Sequence, residues 1–274
     1  MEANPRRPEG ASPPRVALAV TVAAVAIAGG AWYFWPAPEA AAPPPAVATV
    51  APPVPEPAKP PHYPVPAPEA PEPRKPLPAL DASDAALAQS LSGVFGARSF
   101  AQFFRPESLV RRIVATVDNL PRRSYAQRLS PVAPVGGLLV TEGKEEGLTL
   151  APGNAARYSA WVKFVEAVDV KRVVAAYVHF YPLFQQAYVE LGYPDGYFNN
   201  RLVQVIDHLL EAPVVQGPVK LVVRRVLPEF ADPALESESA GRKILLRIGP
   251  ENAAIVKAKL RALRKELMEK TPAA

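Results

Sequence analysis

The sequence predicts a mostly α protein: a single transmembrane helix, a Pro-rich disordered spacer, then one helical domain with a minor β-hairpin or short strands. Three observations carry this expectation. Residues 16–35 contain no charged side chain. Eighteen of the 35 prolines fall within residues 36–78. From about Ala79 onward, apolar residues recur three and four apart, the period of amphipathic helices. The boundaries follow as a cytoplasmic tail over 1–15, a transmembrane helix over 16–35, the spacer over 36–78 and a helical periplasmic domain over 79–274.

The stretch 16–35 has the length that a helix needs to cross a bilayer core of about 30 Å. It ends in Trp32, Tyr33, Phe34 and Trp35, and aromatic residues of this kind favour the membrane–water interface. Arg6, Arg7 and Arg15 precede it, whereas no Lys or Arg follows until Lys59, which places the N-terminus in the cytoplasm. The expected location is therefore a bacterial inner membrane, single-pass, with the C-terminal domain in the periplasm. A competing reading is a signal peptide cleaved after residue 28, because Ala26-Ile27-Ala28 has the small-x-small form. A retained anchor is preferred, since cleavage would split the apolar stretch.

Proline fixes φ and removes a backbone donor, so the spacer favours polyproline II and cannot form a core. His62 lies within it and is assigned no site role.

In the domain, Asp81 and Ser83 are candidate caps for a helix over 84–91, and Pro106 opens a second carrying Leu109, Ile113, Val114 and Val117. Residues 137–140 and 147–150 read as a short hairpin. Asn154 caps a helix over 155–167, and Asp169 caps a longer, largely apolar one that Pro182 should kink and Gly192 should end. The clearest amphipathic helix runs near 197–211, with Asn200, Arg201, Gln204, Asp207 and His208 on one side and Leu202, Val205, Ile206 and Leu209 on the other. A short strand over 219–223, a loop through Pro228 and Pro233, and helices over 239–248 and 251–270 complete the chain. Val256, Leu260, Leu263 and Leu267 form a narrow seam on the last helix.

Composition limits the chemistry. With no Cys and only three His, the chain has no disulfide, no thiolate nucleophile and no Cys-ligated zinc, and no metal or cofactor is indicated. G-x-S-x-G, S-x-x-K, H-E-x-x-H, Walker A and G-x-G-x-x-G motifs are all missing. The densest polar and aromatic stretch, Tyr181 to Pro213, supplies the candidate binding residues Asp195, Tyr197, Asn199, Asn200, Arg201 and His208. The Pro194-Asp195-Gly196 segment reads either as a binding loop or as a tight turn that caps the next helix. An alternative makes His208 the base of an envelope hydrolase, working with Asp207 or Asp118. Neighbouring helical residues point about 100° apart, which makes Asp207 a poor orienting partner for His208.

Basic residues concentrate at 98–128 and on the last helix. On the far side of a membrane such patches fit an envelope protein, an acidic polymer or an anionic lipid better than nucleic acid. A solvated face is the default reading of each patch, and the oligomeric state stays open.

Four segments carry a resemblance: Ile113–Arg123, Asn154–Tyr158, Tyr181–Leu210 and Phe230–Leu260. The chain is similar through them to a family of bacterial membrane-anchored proteins known only as a domain of unknown function. The resemblance implies a proteobacterial setting and a mostly helical domain, and no catalytic residue. The layout also resembles that of TonB-type proteins, although residues 16–35 lack a histidine and the distal domain is long. The functional expectation is a membrane-anchored periplasmic binding or scaffolding protein of the cell envelope.

Overall fold

The structure, a computed structural model, describes residues 62–65, 76–224 and 227–271. Nine α-helices are present among these residues: α1 Asp84–Phe95, α2 Ala97–Phe103, α3 Leu109–Asn119, α4 Ser159–Ala167, α5 Val170–Glu190, α6 Phe198–Leu210, α7 Pro233–Ser237, α8 Ala240–Arg247 and α9 Pro250–Lys270. Two antiparallel hairpins accompany them, β1 Thr141–Glu142 with β2 Thr149–Leu150 and β3 Leu221–Val223 with β4 Pro228–Phe230. A single bridge between Thr149 and Lys220 links the hairpins.

The expected fold class needs correction. Among the described residues no helix is long and apolar enough to cross a membrane. The two longest, α5 and α9, have 21 residues each, but Lys171, Arg172 and Glu190 interrupt α5 and charges recur along α9. The stretch 16–35 lies outside the described residues. The architecture is therefore a mostly helical domain with two small antiparallel sheets. The disordered character expected of 36–78 also fails at His62–Val65, where the Tyr63 backbone bonds to Asn199 and Asn200 at the start of α6.

α5 is the central element. Its Phe180, Leu183 and Phe184 pack with Leu87 and Leu91 of α1, Leu109, Val110 and Val114 of α3, and Phe198 of α6. Each such buried side chain stabilises the fold by about 1.5–3 kcal/mol. In a neighbouring cluster, Leu267 of α9 meets Val174 and Ile206, with Leu260 and Leu263 beside them. The seam on the last helix is thus core. A further cluster joins Leu221, Phe230 and Leu246 at the hairpins.

Capping differs from expectation in an instructive way. Asp169 caps α5 through the N–H groups of Lys171 and Arg172, as its sequence position predicts. Ser83 makes no cap bond; its hydroxyl donates to the Leu80 carbonyl. Asp84 instead accepts from the N–H groups of Ser108 and Leu109, at 2.6 and 2.7 Å, so the first residue of α1 caps α3. That helix begins at Leu109, after Ser108 in the left-handed region, and not at Pro106. Asn154 does not cap a helix over 155–167. It is fully buried in a 3-10 segment, accepts from Val140 N–H and donates to the Arg247 carbonyl, tying the first hairpin to the end of α8. α5 continues as helix through Pro182.

Candidate functional site

The candidate residues lie on the α5–α6 turn and along α6. Gln185 on α5 organises the turn: its amide donates to the Gly196 carbonyl at 2.7 Å and accepts from the Phe198 N–H at 2.9 Å. Tyr181 donates its hydroxyl to the same Gln185 oxygen. Gly196 allows this close approach, because a Cβ there would lie 2.9 Å from the Tyr188 ring. Phe198, stacked 5.8 Å from Phe184, then anchors the first turn of α6 in the core.

With the turn held in this way, Asn199 and Asn200 have fixed directions. Asn199 is fully buried. Its oxygen accepts from the Tyr177 hydroxyl at 3.0 Å, and its nitrogen donates to Thr271 Oγ1 and to the Tyr63 carbonyl, both at 3.0 Å. Burial raises the Tyr177 phenol well above its ordinary range, so it stays a donor. Asn200 accepts from the Tyr63 N–H at 2.8 Å, and its nitrogen lies 3.4 Å from His62 Nδ1. The half-exposed ring of Tyr197 lies 4.1 Å from that of His62. His62, given no role on sequence grounds, is thus part of this surface.

The remaining candidates point elsewhere. Asp195 is exposed on the turn. Arg201 turns away toward α3, where its Nε donates to the Asp118 carboxylate and a terminal nitrogen to the Asp118 carbonyl, both at 3.0 Å. Asp118 is only 2% exposed and also accepts from Arg122 and the Tyr193 hydroxyl. This buried carboxylate is fully partnered and fastens α6 to α3.

At the far end of α6, His208 Nε2 lies 2.8 Å from Ser239 Oγ, the hydroxyl that caps α8. Burial, followed by the Arg242 charge, lowers the His208 imidazole below its ordinary value. Asp207 pairs with Arg264 on α9. The hydrolase alternative required His208 beside Asp207 or Asp118, and the three groups serve three separate contacts. Among the described residues no group of three potential metal ligands occurs.

Sequence reasoning missed Tyr63, Tyr177, Gln185 and Thr271. One signal was available: His62 and Tyr63 are the only aromatic side chains between residues 36 and 78.

This arrangement can now be set beside known proteins. The sequence pattern of a family described as Protein of unknown function (DUF3014) matches residues 109–264. The chain belongs to that family. No curated protein and no solved structure matches the chain. The DUF3014 region begins at the first residue of α3 and reaches into α9, so it contains the Asn199–Asn200 pair, Asp118 and His208. The DUF3014 region leaves out α1, α2 and the His62–Val65 segment.

Proposed function

We propose that the domain is a binding or scaffolding module of the cell envelope. Its recognition surface is the start of α6, where Tyr197, Asn199 and Asn200 take an extended peptide. The observation that supports this most directly is the treatment of Tyr63. Its N–H and its carbonyl are each taken by a side-chain amide, at 2.8 and 3.0 Å. Two adjacent asparagines thereby do for one residue what a neighbouring strand does in peptide recognition by strand addition. Support for the envelope location comes from sequence alone: the uncharged run 16–35 as an export-directing segment, with Arg6, Arg7 and Arg15 before it.

In this reading the chain's own His62–Tyr63 pair is the resident occupant, and a partner's extended segment exchanges with it. The test places a photo-reactive residue at Tyr197 of the full chain in intact cells. Irradiation is expected to join the chain to an envelope protein, and the adduct should increase when His62→Gly and Tyr63→Gly weaken the resident segment. Crosslinks confined to the chain itself, in both backgrounds, overturn the reading.

A further inference from the structure

A second feature shares no residue with the peptide surface. A cavity of about 540 Å³ opens between the first hairpin, the connection after α6, and helices α8 and α9. Its walls are apolar, formed by Leu150, Val214, Val215, Leu246 and Ala253 among others. Its volume falls within the roughly 300–1,000 Å³ typical of small-molecule sites.

Three cations line it, Arg247, Lys257 and Arg261, against one carboxylate, Glu142. Among the described residues none of the three cations forms an ion pair. Lys257 is the unusual one. It is 7% exposed, and its ammonium, with three protons to donate, is bonded only to the Ala212 carbonyl. Arg247 lies over the Phe230 ring, and its Nε is a buried donor without a partner. A buried charge costs several kcal/mol unless an opposite charge and hydrogen bonds offset it. An apolar chamber lined by three cations that lack an ion-pair partner among the described residues is therefore complementary to one kind of molecule.

We propose that this cavity binds a single-chain amphiphile with an apolar tail and a carboxylate head, and that Lys257 is the counter-ion of the head. The tail lies against the Leu150, Val214 and Leu246 walls. Arg247 and Arg261 add positive potential around the same head group. Burial and the charges of Arg261 and Arg242 lower the Lys257 ammonium below its ordinary value, and an incoming carboxylate reverses that penalty.

The test uses the full chain, dodecanoate, and 1-dodecanol as a probe of equal tail length without the charge. Each is titrated calorimetrically against the wild type, Lys257→Met and Ala254→Phe. Methionine keeps the apolar stem of Lys257. Ala254 is an exposed residue of the cavity lining, so phenylalanine there fills the chamber without entering the core. Dodecanoate is expected to bind the wild type about tenfold or more tightly than Lys257→Met, the scale of one charged hydrogen bond. Dodecanol should bind those two alike, and Ala254→Phe should bind neither probe. No saturable dodecanoate binding by the folded wild type overturns the proposal, as does equal loss of acid and alcohol in Lys257→Met. Binding to phosphatidylglycerol vesicles that Ala254→Phe leaves intact, without dodecanoate binding, assigns the basic residues to a lipid surface and also overturns it.

Discussion

Asn199 and Lys257 are both buried polar side chains, and the fold treats them in opposite ways. Asn199 has a partner for its oxygen and two for its nitrogen, drawn from α5, the residue that follows α9 and the segment at Tyr63. Lys257 carries a full charge and has one backbone carbonyl. Polar groups inside a protein are stable when every donor and acceptor is used. Complete pairing, as at Asn199, marks a joint: internal where the partners are Tyr177 and Thr271, and open to exchange only at the Tyr63 carbonyl. Incomplete pairing, as at Lys257, marks spare binding capacity.

The hardest test of that contrast is Asp118, the charged counterpart of Asn199. Asp118→Ala strips the carboxylate from Arg201, Arg122 and Tyr193, leaving Arg201 the backbone carbonyl at 118, and is expected to cost about 3–5 kcal/mol in urea unfolding, the range for breaking a buried ion pair. A loss below about 1 kcal/mol would break the equation between full pairing and architecture. Asn199→Ala comes next, at about 1–3 kcal/mol, because it leaves the buried Tyr177 hydroxyl without its acceptor and takes a donor from Thr271, which keeps its bond to the Leu267 carbonyl. The same change should expose the chain near Tyr63 to limited proteolysis.

Lys257→Met should have the opposite sign. Removing an unpaired buried charge is expected to leave stability unchanged or to raise it by about 1 kcal/mol, read as a higher urea midpoint. A loss of stability there would show that Lys257 is a joint like Asn199.

The smallest effect belongs to His208. Its imidazole is held below its ordinary value, so the unfolded chain binds a proton more readily than the folded one. Its contribution is complete above the unfolded value, about pH 6.5. That contribution declines as pH falls below this value and levels off below the folded value. Urea midpoints compared between pH 7.5 and 5 should fall less in His208→Gln than in the wild type; identical slopes would remove His208 from the account.

Local signals made much of this legible in the sequence. The apolar side of α6, the Asp169 cap and the Val256–Leu267 seam are all periodic or adjacent features, and the structure keeps each of them. What stayed hidden depends on residues far apart in the chain. Nothing in the spacing announces that Asp84 caps a helix beginning at Leu109, or that Asn154 reaches Arg247. Part of the loop expected through Pro228 is β4, since proline is compatible with the first residue of a strand. α2 follows Gly96 directly and, at seven residues, is too short to show a helical period. Lys257 was open to detection. It stands with Ala253, Val256 and Leu260 on one side of α9, a charge inside an apolar stripe.

The clamp on Tyr63 has a consequence for the proline composition. A clamp that requires both an N–H and a carbonyl cannot close on proline, which has no N–H. Tyr63 is bracketed by Pro61 and Pro64, and only His62 beside it also carries the needed donor. Sliding the strip by one residue toward the C-terminus, or by two toward the N-terminus, puts a proline under the two asparagines. The prolines on either side therefore serve as index marks. They narrow a reader of backbone groups to His62 and Tyr63, and the His62 ring against Tyr197 sets Tyr63 under the asparagines.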